Sequence, residues 1–329
     1  MSSVDTNLGG QNKRSGEDNH GPISKKKRTS AYDANFEKAM RERGVYVPDY
    51  RFSNGRDAPE PTNLEDMIEA LSTRRASISS DEALQSMRKE FVACSAGHSE
   101  AYWKQTALPL LKGNKQGFVS DSDVTMTNFD PLIKYDAVVR LKPDIYDGAA
   151  SENVNPTVLE KLNNLIVPTR FDCKLVCPNF FMEVKRPEGV SAVLRRQAMH
   201  AGALGARAMH SLQNYGQRVP TYDDQAHTIS VTFQEGRLLF FAHHVTPGVE
   251  GGIPEYFMTL IDSFEMSNRR DFPKGVIAFR NARDWAKSTR DKLIEEANKR
   301  ASSGTTVESQ MPIASSVKSV PDSEEDGIE

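Results

Sequence analysis

The 329-residue sequence has little of what secreted and membrane proteins need. Its three cysteines, Cys94, Cys173 and Cys177, are too sparse for a disulfide scaffold. No apolar run approaches the ~20 residues that a membrane-spanning helix requires. The polar N-terminus does not have the pattern of a secretory signal. These absences predict a soluble intracellular protein that has no membrane partner.

The chain also lacks an excess of positive charge. Lysine and arginine total 42 against 45 acidic residues, which gives a net charge of -3. Any binding to nucleic acid must therefore come from a local basic surface and not from the chain as a whole. The mean hydropathy of -0.56 further indicates that part of the chain does not fold.

Basic residues are concentrated near the N-terminus, within a polar segment that we predict to be disordered, residues 1–30. They form two clusters separated by ten residues: Lys13 and Arg14, then Lys25, Lys26, Lys27 and Arg28. This spacing resembles a bipartite nuclear localisation signal, which an acidic import receptor can bind. A solvated charge run or a non-specific nucleic-acid arm would have the same composition. The favoured interpretation is a nuclear protein that binds an import receptor.

Composition divides the remaining chain into three parts. Residues 31–80 contain proline-rich stretches and two short helical patterns, which predict an extended arm that wraps a domain. Residues 81–300 are predicted to form the folded domain. Residues 301–329 are rich in serine and acidic residues, and we predict a disordered acidic tail.

Hydrophobic periodicity and turn residues predict the order of elements within the folded domain. Helices and strands alternate, so the expected fold class is α/β, with a mixed central β-sheet flanked by helices. The predicted helices are 81–94, 99–111, 157–166, 191–215 and 282–300, and the predicted strands are 133–145, 180–184 and a hairpin over 228–245.

The strongest chemical signal is a Pro143-Asp144 pair followed by Glu183-Val184-Lys185. Side chains two positions apart on a strand share a face, so Glu183 and Lys185 point the same way and Val184 points into packing. Asp144 is predicted to end the preceding strand. If the two strands are neighbours, about 5 Å apart, the carboxylates of Asp144 and Glu183 meet around one cation. A structural ion pair between Glu183 and Lys185 is the alternative.

These residue types suit a hard divalent cation. Mg²⁺ (or Mn²⁺) prefers oxygen ligands, and one or two carboxylates with a substrate phosphate are sufficient. The carbonyl of Val184 is a further candidate ligand. A bound ion lowers the pKa of its water and offsets charge on a phosphate, while a neighbouring lysine orients the attacking water.

This arrangement resembles the PD-(D/E)XK nuclease superfamily, which has Pro-Asp at one strand and Glu-x-Lys at the next. The resemblance implies a restriction-endonuclease-like core in which Asp144, Glu183 and Lys185 form the centre. It also implies a glutamine on the following helix, matched by Gln197, and an acidic residue upstream, matched by Glu100 or, less favourably, by Glu90. The 38 residues between the two acids exceed a hairpin connection, so a helix near 158–165 is expected between them.

A wider resemblance, over roughly residues 30–300, is to a fungal protein family with this core and no established activity. It is carried by residues 32–36, 143–144, 178–181, 196–198 and 205–210.

Four arginines close to the proposed centre are candidate phosphate contacts. Two of them are eleven residues apart on one predicted helix and hence near one face. A solvated helix face is an equally good interpretation. They are Arg186, Arg195, Arg196 and Arg207.

The resulting prediction is a nuclear, metal-dependent nuclease acting on DNA, or less favourably on RNA. The intact set of two acids and a lysine favours this enzyme. An inactive nuclease-fold module that binds nucleic acid or protein in the nucleus is the alternative, and the negative net charge favours it. No sequence feature predicts the oligomeric state.

Overall fold

The computed structural model describes residues 29–75, 81–96, 99–114, 116–132, 138–171 and 174–304. In this part of the chain seven strands form one mixed sheet, in the order β1-β7-β6-β5-β4-β3-β2. The pairs β1–β7 and β4–β5 are parallel, and the other neighbours are antiparallel. The strands are β1 (Val45–Tyr46), β2 (Val119–Asp121), β3 (Ile145–Ala150), β4 (Leu175–Val184), β5 (Ala226–Gln234), β6 (Arg237–Thr246) and β7 (Glu255–Glu265).

Helices cover both faces of this sheet, which confirms the predicted fold class. The described helices are α1 (Phe36–Arg41), α2 (Leu64–Ser72), α3 (Asp81–Ser95), α4 (Glu100–Lys112), α5 (Pro156–Lys161), α6 (Asn163–Ile166), α7 (Ser191–Gln213) and α8 (Asp271–Ser302). None of them is long and apolar enough to cross a membrane.

The interior strand β4 is buried along all ten residues, because helices pack on each of its faces. Its even-numbered residues from Phe180 to Val184 join a cluster with α2, α4 and α8. Phe181 points the other way, against Ala201 and Leu204 of α7. A strand that is buried on both faces has a nearly continuous apolar sequence. The apolar run therefore predicted this strand.

Helix α7 lies close to the sheet because two glycines face it. A Cβ at Gly202 would lie 2.0 Å from the ring of His243, and a Cβ at Gly205 would lie 2.6 Å from Phe181. His243 is itself fixed by a 2.7 Å hydrogen bond between its Nε2 and the Ser230 hydroxyl. Glycine is unfavourable inside a helix, but the close packing of α7 on the sheet requires it at these two positions.

One predicted strand was placed too early in the chain. Residues 138–144 form no strand beyond an isolated bridge at Val138, and residues 133–137 lie outside the described part. The strand begins at Ile145 and includes Asp147 and Gly148, which by composition resemble a turn. Pairing with both β2 and β4 keeps this segment extended, so tertiary contacts override local preference.

Other predicted elements are confirmed with shifted ends. The hairpin is β5 and β6, joined at Glu235-Gly236, where both residues have positive φ. The helix expected between the two acids occurs as α5 and α6. The last helix starts at Asp271, eleven residues before the predicted 282, and its proline, Pro273, lies in the first turn where proline is tolerated.

The predicted tails begin and end slightly differently. Thr29 bridges Val138, so the arm starts before residue 31, and the last helix continues to Ser302. The rest of both predicted tails, residues 1–28 and 305–329, lies outside the described residues.

Candidate active site

The end of β4 and the start of β3 place two carboxylates side by side. Ile145 pairs with Met182 in antiparallel register, so Asp144 lies across from Glu183. The backbone N–H of Val184 donates to Asp144 Oδ2 at 2.8 Å, which fixes that carboxylate against β4. Asp144 therefore precedes its strand, whereas the sequence analysis placed it at a strand end.

Glu183 is fully buried, and neither of its carboxylate oxygens has a hydrogen-bond partner among the described residues. Burial raises its pKa well above the usual value, and the negative charge of Asp144 raises it further. The Lys185 charge and the backbone N–H of Asp144 lower the pKa, but that N–H does not reach hydrogen-bond geometry. A buried carboxyl without a partner is costly, so this position favours a proton or a cation.

Lys185 directly follows β4, and its side chain bends back towards the end of that strand. Its ammonium donates to the Val184 carbonyl at 3.3 Å and lies 3.7 Å from Glu100 Oε1. Only 9% of the residue is exposed. A cavity of about 20 Å³ beside it, lined by Trp103 and Phe233 among others, is large enough for one water.

Helix α4 contributes two charged side chains to this edge of the sheet. Ser99 accepts a hydrogen bond from the Tyr102 N–H and begins the helix, as the sequence indicated. Glu100 and Lys104 are four residues apart and so project from one face. Glu100 reaches Lys185, while Lys104 Nζ lies 3.1 Å from Asp144 Oδ1 and 2.6 Å from Asp123 Oδ2.

Lys104 was not among the site residues predicted from the sequence. Burial lowers the pKa of its ammonium, but the hydrogen bonds and charges of Asp123 and Asp144 outweigh burial, and the net shift is upward. Its only signal in the sequence is the four-residue spacing from Glu100 on a predicted helix. That signal becomes specific only when the structure brings Lys104 to Asp144, just before β3, and Glu100 to Lys185, just after β4.

The donor set is small but fits a hard cation. Among the described residues, no three His, Cys, Asp or Glu side chains are grouped so as to hold a metal ion. Asp144, Glu183 and the Val184 carbonyl supply two carboxylates and one further oxygen. That number suits Mg²⁺, which keeps several waters and takes substrate oxygens, better than a metal that needs an all-protein cage.

A family model described as "Domain of unknown function (DUF7924)" matches residues 76–298. The chain belongs to this family. No curated protein matches it. The DUF7924 region contains Glu100, Lys104, Asp144, Glu183 and Lys185, so the whole candidate site lies within the matched part of the chain.

Gln197 lies on α7 within the DUF7924 region, one helical turn before Ala201. Ala201 packs with Phe181, which is on the same face of β4 as Glu183. The glutamine is thus on the helix that follows Lys185, as expected, on the face of the sheet towards which Phe181 points. Its Oε1 is buried and has no hydrogen-bond partner in the described structure, so it is available to a ligand.

The four candidate arginines have different surroundings. Arg186 and Arg195 are exposed. Arg196 donates to the Ala31 carbonyl at 3.2 Å and lies 3.5 Å from Glu37, so it binds the chain's own arm. Arg207 donates to the Asp130 carbonyl. The basic clusters at residues 13–14 and 25–28 lie outside the described residues.

Proposed function

We propose that this DUF7924 protein is a metal-dependent phosphodiesterase of the PD-(D/E)XK type that cleaves DNA, with RNA a less favoured substrate. The carrying observation is the buried carboxylate of Glu183 beside Asp144 and Lys185, which has no hydrogen-bond partner among the residues that the structure describes. A buried acid without a partner destabilises the fold, so its presence points to a functional role. Its surroundings suit the binding of a cation with the carboxylate ionised.

Each residue has a role in this proposal. Asp144 and Glu183 would hold Mg²⁺ or Mn²⁺, with the Val184 carbonyl as a third ligand. The bound ion would supply an activated water and offset phosphate charge. Lys185 orients that water and stabilises charge on the phosphate, and its contact with Glu100 sets its direction. Gln197 orients the substrate or the lysine, and Glu100 is the candidate ligand for a second ion.

A nuclear binding module without catalysis is the second candidate. The pairing of Lys104 with Asp144 favours it, because an ammonium already neutralises one of the proposed ligands. Of the four candidate arginines, Arg196 and Arg207 bind the protein's own backbone. For either function, the exposed Arg186 and Arg195 therefore remain as candidate phosphate contacts.

A cleavage assay separates the two candidates. The full chain is incubated with single- and double-stranded DNA and with RNA, in Mg²⁺, Mn²⁺ or EDTA. We expect metal-dependent cleavage that falls at least about a hundredfold in Asp144→Asn, Glu183→Gln and Lys185→Ala, because each removes a group acting on the reacting phosphate. Asp262→Asn, an exposed carboxylate on β7, is the matched control.

Cleavage that persists equally in all three variants contradicts the proposed centre. If the folded wild-type chain cuts none of the substrates, the enzyme proposal fails. Retention of DNA on a filter or gel under those conditions would then support the binding module.

The proposed site of action is the nucleus, supported by the two basic clusters. A fluorescent fusion of the full chain is expected to accumulate there. Replacing Lys25, Lys26, Lys27 and Arg28 by glutamine should abolish the accumulation, whereas replacing Lys287 and Lys292 should not. Equal nuclear signal in both would contradict import through these clusters.

A further inference from the structure

Lys104 of α4 forms an ion pair with Asp144, one of the proposed metal ligands. Asp144 Oδ2 already accepts a hydrogen bond from the Val184 N–H, so Oδ1 is the more open oxygen for a cation. Lys104 Nζ lies 3.1 Å from that oxygen, with its side chain only 14% exposed. A divalent ion on Oδ1 would meet this ammonium at short range, and the two positive charges repel.

The same lysine has a second, more exposed carboxylate within reach. Asp123 Oδ2 lies 2.6 Å from Lys104 Nζ, and the Asp123 side chain is 49% exposed against 11% for Asp144. The Asp123 N–H donates to the Pro143 carbonyl at 3.1 Å, so a backbone hydrogen bond joins the two segments that carry the acids. Because the lysine side chain is flexible, its ammonium can shift its contact from the Asp144 carboxylate to the Asp123 carboxylate alone.

We propose that Lys104 is an exchangeable counter-ion, which bridges Asp144 and Asp123 in the metal-free protein and, when a divalent cation binds, gives up Asp144 and keeps only Asp123. This inference rests on the proposed function, since it concerns the same centre. It assigns a role to two residues outside the resemblance. Lys104 sets how strongly a metal must compete for the site, and Asp123 holds the displaced ammonium.

The competing interpretation is that Lys104 has a purely structural role. The two interpretations predict opposite effects of removing Lys104 on metal affinity. If Lys104 only holds Asp144 in place, removing Lys104 or Asp123 disturbs the carboxylate, and both changes weaken metal binding. If Lys104 competes with the metal, removing Lys104 strengthens binding. Removing Asp123 then weakens binding, because the ammonium has no other anchor and stays on Asp144.

The test is Mn²⁺ binding by the full chain without nucleic acid, measured by calorimetry and by the electron paramagnetic resonance signal of free Mn²⁺. For Lys104→Met we expect a dissociation constant about tenfold lower than wild type, within the usual range of coupling between two sites. For Asp123→Asn we expect a higher constant. In the Lys104→Met background, Asp123→Asn should have no further effect, because Asp123 acts through the lysine.

Lys142→Met is the matched control. Lys142 Nζ lies 4.0 Å from Asp123 Oδ1 and its side chain is 54% exposed, so this change removes a nearby charge that does not pair with Asp144. Its effect should stay within about twofold because solvent screens exposed charges. Thermal melts check that each variant folds, and Lys104→Gln replaces Lys104→Met if the latter does not.

The outcomes separate this inference from the proposed function. If wild type binds Mn²⁺ and Asp144→Asn does not, the centre stands. An unchanged or higher dissociation constant in Lys104→Met then overturns the exchange. Absence of Mn²⁺ binding in wild type and in every variant overturns the metal centre itself, and the exchange with it.

Discussion

Among single residues, Glu183 has the most perturbed environment at the candidate site. It is fully buried beside Asp144, and its carboxylate has no hydrogen-bond partner in the described structure. Desolvation and the neighbouring negative charge both favour the protonated form. Glu183 is therefore expected to carry a proton in the folded protein.

Glu183→Gln tests this linkage in EDTA. The folded pKa lies above the ordinary value of 4.5, so the native state keeps a proton that the unfolded chain releases. The stability contributed by this group is fully present below pH 4.5 and is lost as pH rises towards the folded pKa. Glutamine mimics the protonated form, so the variant should gain stability relative to wild type as pH rises.

Urea unfolding at pH 5 and pH 8 measures the difference. The gap in unfolding free energy between Glu183→Gln and wild type should be larger at pH 8. Asp262→Asn, whose carboxylate is exposed, should show no such divergence. Parallel stability curves for Glu183→Gln and wild type would mean that the buried acid is not protonated in the native state.

Among the elements, α8 is held to the sheet by buried charged contacts as well as apolar packing. Arg283 Nε donates to Asp147 Oδ2 at 2.7 Å, and its Nη2 donates to Asp147 Oδ1 at 3.1 Å. Arg283 is 4% exposed and Asp147 is 1% exposed. Farther along the helix, Arg290 donates to Asn179 Oδ1 at 2.7 Å. These contacts fix α8 across β3 and β4.

Arg283→Met should cost about 3–5 kcal/mol, since it leaves the Asp147 carboxylate buried without its cation. Combining it with Asp147→Leu should recover part of this loss, because neither charge remains. Lys287→Met is the control on the same helix. Its pair with Asp291 is more exposed and should contribute less than about 1 kcal/mol.

Chemical denaturation of the four proteins gives these values. A cost for Arg283→Met as small as that of Lys287→Met would show that α8 does not depend on the buried pair.

For the whole molecule, the arm before residue 76 completes both faces of the sheet although it lies outside the family match. Phe36 and Met40 of α1 join the cluster under α7. Met67 and Leu71 of α2 join the cluster under α8. The Thr62 N–H and the Asn63 side chain bind the backbone at the start of β5. The arm is therefore part of the folded unit.

Two truncated chains test this dependence, one starting at residue 29 and one at residue 76. Burial of each large apolar side chain contributes about 1.5–3 kcal/mol, and a typical domain is stable by only about 5–15 kcal/mol. The chain from residue 76 should melt at a lower temperature and bind a hydrophobic dye. The chain from residue 29 keeps these contacts and is the control. Equal melting temperatures would show that the arm adds no stability.

Local sequence patterns were sufficient to predict the elements with regular apolar spacing or a characteristic turn. The buried run of β4, the helix α7 and the Glu235-Gly236 hairpin follow directly from periodicity and turn chemistry. They were insufficient for β3, where Asp147 and Gly148 look like a turn. Asp147 is stable in a strand because Arg283, far along the chain, neutralises it.

By itself the sequence determined the fold class, because the alternation of helical and strand patterns needs no distant contact. It also indicated that Asp144 would lie near Glu183. Only the tertiary structure decided how deeply Glu183 is buried and which groups surround it. It alone brought Lys104 to Asp144 and turned Arg196 towards the arm. Burial and charge pairing depend on distance in space, and the spacing of residues along a chain does not encode that distance.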